Sequence, residues 1–137
     1  MDKKMELQRA LETIKSQEAS TRDILNGHRK VISEAASDES LTNLSYKLKQ
    51  YTEEIQKNVA LLDCLNAGIE ILEYEGVTDE ARHKELSRQI KRIQSRVNSM
   101  STLRGLRMDG GGLCDLAEMK GMTLALPVLQ DALEKMG

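Results

Sequence analysis

The stretch LTNLSYKLKQYTEEIQKNVALLDCLNAGIEIL, residues 41–72, decides the fold of this 137-residue chain. Its apolar residues repeat in sevens, with a single polar exception, over more than four heptads. Such a repeat predicts a long helix that packs against other helices. Position a holds Leu41, Leu48, Ile55, Leu62 and Ile69, and position d holds Leu44, Tyr51, Asn58, Leu65 and Leu72.

Two further long helices are predicted on either side of this stretch. Helix 1 extends from about residue 3 to 36, and Ser37 or Asp38 is expected to cap helix 2. Gly76 is expected to end helix 2, and helix 3 is expected to end near Arg104. Short connections make successive helices antiparallel. The sequence therefore predicts an all-α fold, with an antiparallel three-helix coiled-coil bundle over residues 1–104.

Residues 105–137 differ in composition and are expected to form a Gly-hinged apolar helical tail. Gly110 to Gly112 are the expected hinge, and Pro127 suits the first turn of a short last helix. This C-terminal segment is too apolar for a disordered tail. We expect it to dock on the bundle end nearest the first turn, or on a partner, through Leu113, Leu116, Val128, Leu129 and Leu133.

A polar layer is expected in the middle of the bundle. Folding the chain at about residue 38 places residue i opposite residue 76 − i, which sets Glu18 opposite Asn58. A second fold at about residue 77 sets Asn58 opposite Arg96. Buried polar groups need partners, and such a layer can fix the register of a bundle. The sequence thus predicts a polar core layer of Glu18, Asn58 and Arg96.

Helix 3 carries a basic face made of Arg88, Lys91, Arg92 and Arg96. Two interpretations compete for this face. It could bind the phosphates of nucleic acid or an acidic partner, or it could pair with acidic side chains of its own bundle. Because the chain contains no Phe or Trp, the face lacks an aromatic platform for base stacking. Pairing within the bundle is the favoured interpretation.

The apolar runs and the cysteine spacing of the chain indicate the cellular compartment in which the protein is expected. No apolar run approaches the ~20 residues that span a bilayer, and the N-terminus has no apolar signal region. Cys64 and Cys114 show neither a zinc-binding nor a disulfide-framework spacing. We therefore expect an intracellular protein, cytoplasmic or nuclear, without a membrane span.

Nothing in the sequence points to catalysis. His28 and His83 are far apart, and the glycines at 105 and 110–112 match no phosphate-binding motif. No catalytic, cofactor-binding or metal-ligating set is expected, so the chain is not predicted to be an enzyme. The predicted function is a non-enzymatic helical protein–protein interaction module: an adaptor, an oligomerisation domain or an assembly subunit. The alternative is a nucleic-acid-associated protein that uses the basic face.

Overall fold

The computed structural model describes the backbone of residues 3–38, 40–100 and 111–137, and the side chains of residues 4–37, 40–100 and 116–137. This part of the chain consists of helices and contains no strand, so the all-α prediction is confirmed. The four helices are α1 (Lys3–Asp38), α2 (Leu41–Glu73), α3 (Asp79–Met100) and α4 (Gly111–Lys135).

Side-chain caps begin α2 and α3. The hydroxyl of Ser40 accepts a hydrogen bond of 3.3 Å from the backbone N–H of Asn43, so the cap of α2 lies at Ser40 and not at Ser37 or Asp38. The hydroxyl of Thr78 accepts a 3.1 Å bond from the N–H of Ala81 at the start of α3. Between α2 and α3, Gly76 has a φ of 83°, which suits glycine. It was expected to end α2, but the last residue of α2 is Glu73, so Gly76 lies in the turn that follows the helix.

The C-terminal segment is a full member of the bundle and not a short tail. Helix α4 has 25 residues and packs against α1, α2 and α3. Gly111 and Gly112, expected to form part of a hinge, belong to this helix. Pro127 lies inside it and not in its first turn, although an interior proline costs about 3 kcal/mol of helix stability. Ala125 and Leu129 on either side are fully buried, and this packing offsets the cost.

The hydrophobic core converges on Gly68 of α2. A Cβ atom placed on Gly68 would lie 3.3 Å from Ile14 of α1, 3.8 Å from Leu86 of α3 and 2.6 Å from Leu129 of α4. The side chains of Ile14, Leu86 and Leu129 are all fully buried. Residues from all four helices therefore meet in one layer. Because Gly68 has no side chain, there is room for the side chains of the other three helices at this point.

Helices α2 and α4 approach each other closely at Gly121. A Cβ atom on Gly121 would lie 2.2 Å from the carbonyl oxygen of Lys57 and 2.9 Å from the Cβ of Ala60. Gly121 of α4 lies beside Ala60 of α2, and Leu129, eight residues later, lies beside Gly68, which is also eight residues later. The two helices therefore run in the same direction. Together they separate α1 from α3.

The pairing of α1 with α2 differs from the predicted register. The rings of His28 and Tyr51 lie 5.1 Å apart, and Ile14 contacts the Gly68 layer. The predicted rule would set Tyr51 opposite Leu25 and Ile14 opposite Leu62. The α2 residue that faces a given α1 residue thus lies three to six positions later in the sequence than the predicted rule gives. The turn is later than expected, because α1 continues to Asp38 and α2 begins only at Leu41.

Helices α1 and α2 continue past the region that α4 covers. Leu116, Ala117 and Lys120 of α4 border a depression that also includes Glu53, Glu54 and Lys57 of α2. Twelve residues of α2, 41–52, precede this level. We call residues 27–37 of α1 and 41–52 of α2 the α1–α2 extension. Its side chains Leu41, Tyr46 and Leu48 are 84%, 70% and 41% exposed. The expectation that the apolar C-terminal segment covers this end is therefore wrong for the side chains that are described.

Two glycine-to-alanine replacements test the close approach of α2 and α4. Gly121→Ala should lower the free energy of unfolding by about 1–3 kcal/mol, because the new methyl group meets the backbone of Lys57. Gly27→Ala is the matched control, since nothing lies within 4 Å of its Cβ position. It should stabilise α1 by about 0.4–1 kcal/mol. Urea denaturation measures both, and equal effects of the two replacements would contradict the packing.

Candidate functional site

The interior of the bundle holds two polar residues among the described side chains, Thr21 and Asn58. Thr21 accepts a 3.3 Å hydrogen bond from the side chain of Gln17. The Nδ2 of Asn58 has no hydrogen-bond partner in the described part of the chain, which makes it a local weakness of the core.

The other two residues of the predicted polar layer have different partners. Glu18 accepts a hydrogen bond from Arg22, one turn along the same helix. Arg96 donates a 2.8 Å hydrogen bond to Glu118 of α4, and its side chain is 62% exposed. The structure therefore places Arg96 at the exposed surface of the α3–α4 interface. Neither of these two hydrogen bonds involves Asn58, so a polar layer of the three residues stays a prediction.

The basic face of α3 is paired with acidic side chains of its own chain. Arg88 and Arg92 lie 3.1 and 3.7 Å from the carboxylate of Glu85, and Arg96 is bound by Glu118. Lys91 is exposed. The partners come from α3 itself and from α4, the helix against which α3 packs most extensively. Exposed pairs of this kind contribute about 0.2–1 kcal/mol each.

The apolar residues predicted to dock the C-terminal segment have unequal roles. Leu129 is fully buried in the four-helix layer, and Val128 and Leu133 are half-buried beside it. Leu116 is exposed near the start of α4. The side chain of Leu113 lies outside the described residues. The segment therefore binds its own bundle, and its buried part is unavailable to another protein while the bundle is folded.

Among the described residues, the side chains of Cys64, His28 and His83 have separate surroundings. Burial raises the pKa of the Cys64 thiol to about 11, and the carboxylates of Asp63 and Glu118 act in the same direction. The side chain of Cys114 lies outside the described part. His28 packs against Tyr51, whereas His83 lies at the far end of the bundle beside Glu6. No group of His, Cys, Asp and Glu suited to hold a metal ion occurs among the residues that the structure describes.

In the part of the chain that the structure describes, an exposed apolar surface lies at each end of α2. The first is the α1–α2 extension. The second is a groove between α2 and α3 that we call the turn patch, with a volume of about 460 Å³. Its most exposed apolar side chains are Tyr74 and Val77. Sequence reasoning missed it, although two large apolar residues flanking Gly76 were a usable signal. The groove is lined by Ala67, Glu70, Ile71, Tyr74, Val77, Ala81, Arg82 and Glu85.

Comparison with known proteins finds no matching protein-family model, no matching curated protein and no matching solved structure. None of the helices, over the residues described, combines the length and the apolar character required to cross a bilayer. The α1–α2 extension and the turn patch are therefore the features of this chain that bear on its function.

Replacement of the buried amide should stabilise the bundle. Asn58→Leu removes an unpartnered donor from the core and should raise the free energy of unfolding by about 1 kcal/mol. The same change should loosen the register or the oligomeric state, because a buried polar residue can specify both. Asn26→Leu on the exposed surface of α1 controls for helix propensity. Thermal unfolding measures the effect, and a lower melting temperature for Asn58→Leu would contradict this account.

Alkylation or disulfide exchange tests the environment of Cys64. In a Cys114→Ser background, Ellman's reagent at pH 8 should react about a hundredfold more slowly with the folded than with the urea-unfolded protein. The reason is that a folded pKa near 11, against an ordinary value of 9.0, leaves far less thiolate at this pH. Equal rates in the two states would show that the thiol is not buried.

Proposed function

We propose that this chain is a non-enzymatic helical protein–protein interaction module, an adaptor, an oligomerisation domain or an assembly subunit, whose docking surface is the α1–α2 extension. The observation that carries the proposal is the exposure of Leu41, Tyr46 and Leu48 on helices that continue past the level at which α4 packs. Leu41 and Leu48 share one face of α2, and Tyr46 projects from the other side, so exposed apolar side chains surround this end of the helix. Exposed apolar surface of this kind is typical of partner-binding sites.

The pattern of the extension favours a helical partner. Leu41 and Leu48 occupy the same heptad position as Leu62, which is buried in the main bundle. The apolar repeat therefore continues into a part of α2 where Leu41 and Leu48 are exposed, beyond the level at which the described part of α4 packs. A heptad position packs its side chain between residues of a facing helix, so a helix is the partner that best fits this surface.

The size of the surface is adequate for a specific contact. Full burial of Leu41, Tyr46 and Leu48 contributes about 1.5–3 kcal/mol for each large side chain. That total is comparable with the lower part of the range of about 4–15 kcal/mol that association costs in lost translational and rotational entropy. Binding therefore requires polar contacts as well, and the nearby charges of Arg29 and Lys49 are available to an acidic partner.

The ion pairs of α3 disfavour the nucleic-acid alternative. Arg88, Arg92 and Arg96 already lie against Glu85 and Glu118. Phosphate binding would have to replace these pairs. An intracellular location, cytoplasmic or nuclear, is part of the proposal and is supported by the absence of a disulfide-type cysteine spacing.

Site-specific photo-crosslinking in cells that express the chain tests this function. A benzophenone amino acid at position 46 should give discrete protein adducts that resist nuclease and disappear with Leu41→Ser and Leu48→Ser. The same group at Leu124, exposed on the main bundle, is the matched control and should give none. Equal labelling at both positions would contradict the proposal. Nuclease-sensitive adducts would contradict it too and would favour nucleic-acid binding.

A further inference from the structure

The two exposed apolar surfaces carry opposite charges. In the α1–α2 extension, α2 contains Lys47 and Lys49 and no acidic residue between Ser40 and Thr52. At the turn patch, Glu70 and Glu75 accompany the exposed side chains of Tyr74 and Val77. One end of α2 thus combines apolar and basic groups, and the other end combines apolar and acidic groups.

The acidic charge of the turn patch is not neutralised locally. Glu70 and Glu75 are exposed and make no ion pair with any side chain in the described ranges. Arg82, the basic residue that lines the groove, is already engaged: it donates a 2.7 Å hydrogen bond to Asp79 and another of 2.7 Å to the carbonyl oxygen of Tyr74. The groove between α2 and α3 therefore presents an apolar floor with acidic residues that remain available to a basic partner.

The two surfaces cannot meet within one molecule. They lie at opposite ends of α2, a continuous helix of 33 residues that is about 50 Å long. If they bind each other, the contact must join two copies, and it leaves the turn patch of one copy and the α1–α2 extension of the other copy free. A contact of this type is heterologous and produces a ring or an open chain.

We propose that the partner of the α1–α2 extension is a second copy of this chain, bound head to tail with the turn patch of that copy. This inference rests on the proposed function and names its partner. Lys49 of one copy faces Glu70 and Glu75 of the next, while Leu41 and Leu48, which share one face of α2, pack against Tyr74 and Val77. A dimer in which the α1–α2 extensions of two copies bind each other is disfavoured, because the lysines of both copies would repel each other.

Charge reversal with rescue tests the arrangement, with mass measured by light scattering over a range of concentrations. The wild-type protein should exceed the mass of a dimer as its concentration rises, and salt should weaken this assembly. Lys47→Glu with Lys49→Glu should give a folded monomer, and so should Glu70→Lys with Glu75→Lys. The control, Lys91→Glu with Lys120→Glu, makes the same change of charge elsewhere and should assemble like the wild type.

Rescue distinguishes a direct contact from a folding defect. An equimolar mixture of the two reversed variants should assemble, and so should the single chain with all four reversals, because each again pairs opposite charges. Circular dichroism confirms that every variant is helical.

Three results would overturn the inference. They are a monomeric wild type at all concentrations, a closed dimer unaffected by Glu70→Lys with Glu75→Lys, and folded reversed variants that fail to rescue each other. In each case the proposed function stands if position 46 still crosslinks to another protein, and it fails if that crosslink is also absent.

Discussion

The contact between α2 and α4 at Gly121 determines how the other helices are arranged. Because Gly121 has no side chain, α4 approaches the backbone of Lys57 and the methyl group of Ala60. Eight residues further along both helices, Gly68 leaves room for Leu129 together with Ile14 and Leu86. These two glycines place α4 against the centre of α2, so α1 and α3 pack on either side. Larger residues at these positions would push α4 outward and open the core.

The lengths of the helices then decide which surfaces remain exposed. Helices α1 and α2 have 36 and 33 residues, whereas α3 and α4 have 22 and 25. The longer pair therefore continues past the layer in which α4 packs on α2. The consequence is the α1–α2 extension at one end and the turn patch at the other. Both functional proposals follow from this inequality of length and from the charges that the two ends carry.

Much of this architecture was predictable, and the failures have physical causes. The heptad repeat predicted α2, and Gly76 predicted the turn between α2 and α3. Helix α4 was expected to be short, because Gly111, Gly112 and Pro127 disfavour helix when tertiary contacts are ignored. The register was wrong by three to six residues, since the cap lies at Ser40. The role of Gly121 could not be inferred, because only the neighbouring helix reveals why a side chain is excluded there.

Native-state amide hydrogen exchange tests the central claim most directly, namely that α4 is an integral part of the core and that the α1–α2 extension is not covered. The amides of α4 from Ala117 to Leu133 and those of α2 from Lys57 to Leu72 should exchange only by global unfolding. The amides of residues 41–52 should exchange faster, through local opening at the uncovered end. If α4 exchanges rapidly while α1, α2 and α3 remain protected, the bundle has three helices and this account is wrong.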